Sequence, residues 1–204
     1  MEKTELAPHT IYAESTPNPT TMKFVSNRYL VIDGQQYEYT PEEDLSNSPL
    51  AAKLLNLPFV SKVFIASNFV AVSKTDIIEW EDVIHQLRDM LSEFLNAGGQ
   101  VIIKSKADEE AGNETEDASG KDESEFSDIE KKVSSILNEY VRPAVEGDGG
   151  AIELHSCVEG KVKVVLKGAC SGCPSSTMTL KNGIESMLMD MLPGEIKEVE
   201  AING

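Results

Sequence analysis

The sequence predicts an α+β protein of two small domains that a disordered acidic linker joins. Residues 105–125 contain nine acidic residues and two lysines, with no aromatic or branched aliphatic side chain. Such a segment cannot bury enough apolar surface to offset its ordering entropy. Strand-like and helix-like patterns lie on both sides of it. We therefore predict a first domain over 10–104, a linker over 105–125 and a second domain over 126–204.

The first domain is predicted to mix strands with helices. Residues 21–32 contain strand-forming side chains and one turn. Ser48 followed by Pro49 is typical of a helix N-cap and first helical position, so a short helix is expected there. Residues 59–66 and 69–73 are rich in Val, Ile and Phe around a short break. This pattern predicts a β-hairpin.

A longer amphipathic helix is predicted to close the first domain. From Glu79 onward, apolar residues recur at helical spacing until Gly98 and Gly99 end the run. A last apolar triplet, residues 101–103, predicts an edge strand before the linker.

The second domain is predicted to begin with a helix. Ser127 and Glu130 have the spacing of a capping box, and an apolar stripe follows them. This helix is expected to end near Pro143, because proline lacks the N–H that continues a helix.

Two alternating strands are predicted next, over 151–158 and 161–167, with a turn between them. Regular alternation would place Cys157 with His155 on the polar face of the first strand. A second helix is expected from Pro174, followed by a third strand over 196–202. The predicted order is therefore helix, strand, strand, helix, strand.

Composition excludes several classes of function. The 204 residues include 18 Lys and Arg against 35 Asp and Glu, a formal net charge of -17. This charge would repel a phosphate backbone, so we expect no nucleic-acid partner. No apolar run approaches the roughly 20 residues that span a bilayer, and we expect no membrane association. The start of the chain has neither a basic flank nor an apolar stretch, which favours a soluble cytoplasmic protein.

The candidate functional residues are Cys170 and Cys173, a close pair among three cysteines. In a reducing compartment such a pair suggests metal or redox chemistry. Gly172 permits a tight loop, and Pro174 would open a helix for which Cys173 is the expected N-cap. Helix N–H groups near the sulfurs would favour thiolate over thiol. We expect both sulfurs to be free and partly exposed in the metal-free chain.

The number of ligands indicates a shared site. Iron–sulfur clusters and all-thiolate zinc sites commonly take four Cys. This chain has three. Two chains that each contribute Cys170 and Cys173 can complete such a site on the axis of a dimer. An exposed, breakable site of this kind suits a carrier better than an electron-transfer protein.

Other possible ligands have weaker support. Cys157 and His155 lie near each other in sequence, but they have neither a tight glycine loop nor a helix start, and we favour Cys157 as a non-ligand. Four methionines at helical spacing indicate core packing or a partner-binding face rather than a soft-metal site, namely Met178, Met187, Met189 and Met191.

The motif around the cysteines resembles a known family. The segment Gly168-Ala-Cys-Ser-Gly-Cys-Pro-Ser-Ser176, followed by Thr179-Leu-Lys-Asn-Gly-Ile-Glu185, is similar to the core of the NifU C-terminal (Nfu) domain. Arg142-Pro-Ala-Val-Glu-Gly-Asp-Gly-Gly150 resembles that family's loop between first helix and first strand. Ser15-Thr-Pro-Asn-Pro-Thr-Thr-Met-Lys-Phe24 resembles the N-terminal domain of mitochondrial-type Nfu proteins.

The resemblance implies an iron–sulfur cluster scaffold or carrier and no enzymatic activity. Cys170 and Cys173 would be the ligands of a [4Fe-4S] cluster, with [2Fe-2S] as the alternative, held in a cluster-bridged homodimer. Apo iron–sulfur proteins would receive the cluster, and an upstream cluster scaffold would supply it. Because this chain lacks a transit peptide, we expect it to be bacterial and cytoplasmic.

Two other functions use the same cysteine pair. A thiol–disulfide oxidoreductase would use Cys170 as nucleophile and Cys173 as resolving thiol. Against it, the pair does not follow the strand and aromatic residues of a thioredoxin-like unit. A dimeric structural zinc module would instead hold zinc tightly without exchange.

Overall fold

A computed structural model of the chain describes residues 7–32, 34–103, 126–171 and 174–203. These residues form two compact units, and each contains one β-sheet with helices. The predicted α+β class is therefore confirmed. The acidic segment 105–125 lies outside the described residues.

The first unit is built on an antiparallel sheet of order β1-β2-β5-β4-β3. Its strands are β1 Ile11–Ser15, β2 Thr21–Ser26, β3 Gln36–Tyr39, β4 Val60–Ala66 and β5 Phe69–Lys74, and its helices are α1 Pro49–Leu55 and α2 Trp80–Asn96. The core includes Phe24, Leu50, Ile65, Val72 and Leu87.

Most predicted elements of this unit are present. Ser48 Oγ accepts a hydrogen bond from Ala51 N–H at 3.2 Å, so the predicted N-cap of α1 is confirmed. The hairpin is β4–β5, and the long amphipathic helix is α2. Strands β1 and β3 were missed. Each is an edge strand that is only partly buried, so its apolar pattern is weak.

The prediction of an edge strand at 101–103 is wrong. Ser48 Oγ donates to Val101 O at 2.8 Å, and Ile103 N–H donates to Asn47 O at 2.7 Å. The triplet therefore bonds to the start of α1 rather than to a sheet.

The second unit contains α3 Asp128–Ile136, a π-helix Leu137–Val141, α4 Arg142–Gly147, β6 Gly150–Val158, β7 Lys161–Gly168, α5 Pro174–Met191 and β8 Glu198–Asn203. In its sheet β6 pairs antiparallel with β7, and β7 pairs parallel with β8. The predicted order of helix, strand, strand, helix and strand is confirmed, with the first helix in three segments. Among the described helices, none is both long enough and apolar enough to cross a membrane.

The first helical region was expected to end near Pro143, but it continues to Gly147. Arg142 N–H donates to Leu137 O, five residues earlier. The wider π turn accommodates Pro143, which has no N–H to donate and whose ring would collide with a carbonyl in a regular α-helix.

Strand β6 contains a bulge that the sequence did not reveal. Leu154 pairs with Val164, but Ser156 pairs with Lys163, so His155 is an extra residue. The alternation of faces is reset at this point. Cys157 therefore lies in the core, and its predicted place on the polar face is wrong.

Candidate metal centre

Cys170 lies in the loop that connects β7 to α5. Gly168 ends β7 with a φ of 65°, in the left-handed region that glycine enters without strain. Ala169 N–H donates to Gly149 O at 3.1 Å. Ser171 donates to Gly168 O twice, from its N–H at 3.1 Å and from its Oγ–H at 2.9 Å. These bonds fix the backbone on both sides of Cys170.

A further hydrogen bond joins this loop to the first turn of α5. Thr177 Oγ–H donates to Cys170 O at 3.2 Å. The cysteine backbone is thus connected to the helix that follows it as well as to β7. The position of the Cys170 Cα atom is therefore fixed by three sets of hydrogen bonds, which come from β7, from the loop before β6 and from α5.

The Cys170 side chain is buried, with 8% of the residue exposed. Burial raises the pKa of its thiol to about 11, and the negative charge of Asp148 adds to the shift. The expectation that Cys170 is a partly exposed thiolate is therefore wrong for this state of the chain. A helix N-terminus nearby is visible in the sequence, whereas the desolvation that outweighs it depends on packing.

Cys173 and Gly172 lie outside the described residues, so the pairing of Cys170 with Cys173 stays a prediction. The expected helix after them is α5, which begins at Pro174. Within the described parts of the chain, no group of three or more His, Cys, Asp or Glu side chains could hold a metal ion.

Cys157 lies in strand β6 rather than in the loop after β7. It is a free, buried cysteine in the core of the second unit. Its N–H donates to Glu130 Oε1 at 3.1 Å. Burial raises the pKa of its thiol, and the charges of Glu130 and Glu195 raise it further. The ring Nδ1 of His155, the extra residue of the bulge, lies 3.3 Å from Ser156 Oγ.

The methionines divide between two environments. Met187 and Met189 pack partly against the core, in line with the packing expected. Met178 and Met191 are exposed.

Sequence reasoning missed the residues that surround Cys170 in space. Asp148 and Gly150 precede it by about twenty positions, and Thr177 follows it in α5. The adjacent glycines of the segment 147–150 were the available signal, because a run of glycines often marks a close approach of backbone to another group.

Comparison with known proteins identifies both halves of the chain. Residues 11–98 match the family model described as "Scaffold protein Nfu/NifU N terminal", and residues 133–200 match "NifU-like domain".

Relatives with established names match nearly the whole chain. NifU-like protein 4, mitochondrial, of Arabidopsis thaliana is 35% identical over 192 residues, which is 93% of this chain and 65% of that protein. NFU1 iron-sulfur cluster scaffold homolog, mitochondrial, of Drosophila persimilis is 31% identical over 192 residues, which is 94% of this chain and 64% of the relative. The chain thus spans slightly less than two thirds of the length of these relatives.

The names of the relatives overturn one expectation. Both are named as mitochondrial proteins, as is NifU-like protein 5 of Arabidopsis thaliana at 35% identity over 93% of this chain and 66% of that protein. The expected bacterial, cytoplasmic location is therefore wrong. The absence of a recognisable leader at the start of the sequence was not a sound basis for it.

The two domain matches occur in the same order as in the resemblance drawn from the cysteine motif, and relatives align with both. The chain belongs to the Nfu/NifU family of scaffold proteins, with an Nfu/NifU N-terminal domain followed by a NifU-like domain.

Proposed function

We propose that this protein is an iron–sulfur cluster carrier that binds a [4Fe-4S] cluster between two copies of the chain and transfers it to apo iron–sulfur proteins. Each copy contributes Cys170 and Cys173. An upstream cluster scaffold loads the site. The cluster is cargo rather than a resident cofactor, so the protein acts without catalysing a reaction of its own.

The loop around Cys170 is the observation that supports this function. Hydrogen bonds from Ala169, Ser171 and Thr177 hold its backbone in one conformation. A preorganised ligand backbone lowers the entropic cost of closing a metal site. The family membership of the chain indicates which metal group would be bound, because a relative is named as an iron-sulfur cluster scaffold homolog.

The distribution of cysteines supports a site shared by two chains. Four thiolates commonly hold an iron–sulfur cluster. Cys170 and Cys173 lie three positions apart after β7, whereas Cys157 lies in strand β6, so we take the close pair as the two ligands that each chain supplies. Thiols must lose their protons to bind iron, so loading the cluster releases protons. Separation of the two copies opens the site and releases the cargo.

Anaerobic reconstitution of the full chain with iron and sulfide tests the proposal. We expect a brown protein with about four irons per two chains, a doubled molecular mass, and recovery of activity in an apo-acceptor enzyme. Cys170→Ser and Cys173→Ser should each lose the cluster and the doubled mass. Cys157→Ser is the matched control, and it should keep both.

Other results would contradict this function. A colourless protein that only reduces disulfides would indicate a thiol–disulfide oxidoreductase. Tightly held zinc that does not exchange or transfer would indicate a structural zinc module. Loss of the cluster in Cys157→Ser alone would show that the ligand assignment is wrong.

The names of the relatives also support a mitochondrial location for this protein. Organelle fractionation with detection of the endogenous protein would test it, and recovery outside mitochondria would contradict it.

A further inference from the structure

Gly150 is in unusually close contact with Cys170. It is the first residue of β6 and pairs with Gly168, two positions before the cysteine. A Cβ atom placed on Gly150 would lie 2.7 Å from Cys170 Sγ and 3.0 Å from Cys170 Cβ. Real Cβ atoms essentially never approach other heavy atoms closer than 3.0 Å. The sulfur, together with Lys167 O at the same distance of 2.7 Å, therefore occupies the space that any side chain at position 150 would need.

Backbone conformation does not explain this glycine. The φ of Gly150 lies outside the left-handed region, so its backbone suits any L residue. Its neighbour Gly149 is different, with a φ of 82°. Gly147 is different again, because it has no positive φ and a Cβ atom placed on it would have nothing within 4 Å. Contact with neighbouring atoms is thus the feature that distinguishes Gly150.

We propose that Gly150 is a positioning residue for the candidate metal centre: its missing side chain leaves the pocket in which the Cys170 sulfur lies. The sulfur is then held at one place by the loop bonds on its own backbone and by the Gly150 surface beside it. This inference deepens the proposed function and rests on it, since it takes Cys170 as a cluster ligand.

Site-resolved alkylation of the full-length, metal-free protein tests where the sulfur lies. N-ethylmaleimide labelling is followed by peptide mass spectrometry in Gly150→Ala, with Gly147→Ala as the matched control. We expect labelling of Cys170 to become about tenfold faster in Gly150→Ala, because the added methyl displaces the sulfur from its pocket. Gly147→Ala should label like the unsubstituted protein.

Cys157 serves as an internal control in the same experiment. It belongs to the same core as Cys170. General loosening of the second unit would speed up labelling of both cysteines. A positioning role predicts a change at Cys170 alone, so, if the far-UV circular dichroism of Gly150→Ala matches that of the unsubstituted protein, equal acceleration at both sites, or at neither, would overturn the proposal.

Cluster retention measures the consequence for the site. After anaerobic reconstitution, Gly150→Ala should lose iron to a chelator roughly tenfold faster than Gly147→Ala, because a displaced ligand holds metal less well. Equal rates of loss would overturn the proposal. If the unsubstituted protein holds no cluster, the proposed function fails, whereas labelling of the metal-free chain still decides whether Gly150 positions Cys170.

A second variant covers the case in which Gly150→Ala does not fold. The same added Cβ would lie 2.7 Å from Lys167 O, so the backbone is another obstacle. In Gly150→Ala combined with Cys170→Ala the sulfur is absent. Restored protection of Cys157 in this double variant would support contact with the thiol. Continued rapid labelling of Cys157 would assign the contact to Lys167 O and overturn the proposal.

Discussion

Glu130 is an acidic residue that the second unit buries, with only 2% of it exposed. Its Oε2 accepts from Ser127 N–H at 2.9 Å and from Ser127 Oγ–H at 2.7 Å. Its Oε1 accepts from Cys157 N–H at 3.1 Å. One carboxylate therefore caps α3 and also satisfies a backbone donor of β6 next to the bulge.

Replacement of Glu130 should be costly. Glu130→Ala leaves the buried Cys157 N–H and the N–H of the exposed Ser127 without this acceptor, and we expect a loss of about 2–3 kcal/mol in the free energy of unfolding of the second unit. Urea unfolding followed by far-UV circular dichroism measures it. Trp80, the single tryptophan, lies in α2 and reports on the first unit separately. Glu139→Ala, at an exposed position, is the control. If Glu130→Ala lowered the free energy of unfolding as little as Glu139→Ala does, the stabilising role of Glu130 would be contradicted.

Cys157 should make stability depend on alkaline pH. Its pKa is raised by folding, so the protein stabilises the protonated thiol. This contribution is fully present below the pKa of an unfolded thiol, about 8.5, and is lost as pH rises through the higher folded value. As pH rises above about 8.5, the free energy of unfolding of Cys157→Ala should therefore fall less steeply than that of the unsubstituted protein. The two slopes should differ by less than about 1.4 kcal/mol per pH unit. Parallel urea-unfolding curves across this range would show that Cys157 does not titrate in this way.

Residue-level patterns were predictable where the interaction is local. The capping box of Ser127 and Glu130 is complete within four residues of sequence, and it was predicted. The bond from Glu130 to Cys157 joins residues 27 positions apart, and the desolvation of Cys170 depends on packing by the core. Contacts of this range leave no periodic signal in the sequence.

At the scale of elements, the bulge in β6 decides which side chains reach the core. The register passes from Leu154 opposite Val164 to Ser156 opposite Lys163 and so skips His155, whereas pairing is regular before and after this point. Cys157 is buried and Val158 exposed, the reverse of the alternation that the sequence suggested. Prediction from a two-residue alternation assumes regular pairing, so it cannot detect an extra residue in one strand.

Deletion of His155 tests this account of the strand. The deletion should leave Leu154 opposite Val164 and Cys157 opposite Val162, because it removes only the residue that the β6–β7 register skips. We expect the second unit to remain folded. Deletion of Glu153, in the regular part of β6, should reverse the faces of the preceding residues and unfold the unit. Far-UV circular dichroism and Cys157 labelling distinguish these outcomes, and equal damage by both deletions would contradict the bulge.

Elements with strong local signals were predicted, and elements shaped by their neighbours were not. Helix α2 and the hairpin β4–β5 follow from hydrophobic period and from turn residues. Edge strands β1 and β3 are short and partly buried, so they lack a strong pattern. The π-helix at Leu137–Val141 depends on how the chain accommodates Pro143. From sequence alone, this proline predicts the end of the helix.

At the scale of the whole molecule, we propose that residues 105–125 connect the two units as a protease-accessible linker. The segment has nine acidic residues and no aromatic or branched aliphatic side chain to anchor it. Brief digestion with a glutamate-specific protease should therefore cut first between positions 105 and 125. We expect two stable fragments by mass spectrometry, with tryptophan fluorescence in the first alone. Early cuts at exposed glutamates within either unit, such as Glu81 or Glu139, would contradict this boundary.

The burial of Cys170 also bears on how the proposed carrier survives between deliveries. Peroxide attacks thiolates far faster than thiols, and it must reach the sulfur to do so. In the metal-free chain the sulfur belongs to a residue that is 8% exposed, and its raised pKa keeps it protonated at neutral pH. An empty carrier of this kind resists conversion of Cys170 to sulfenic acid. Cys170 therefore stays reduced, and available as one of the two proposed ligands, under oxidative stress.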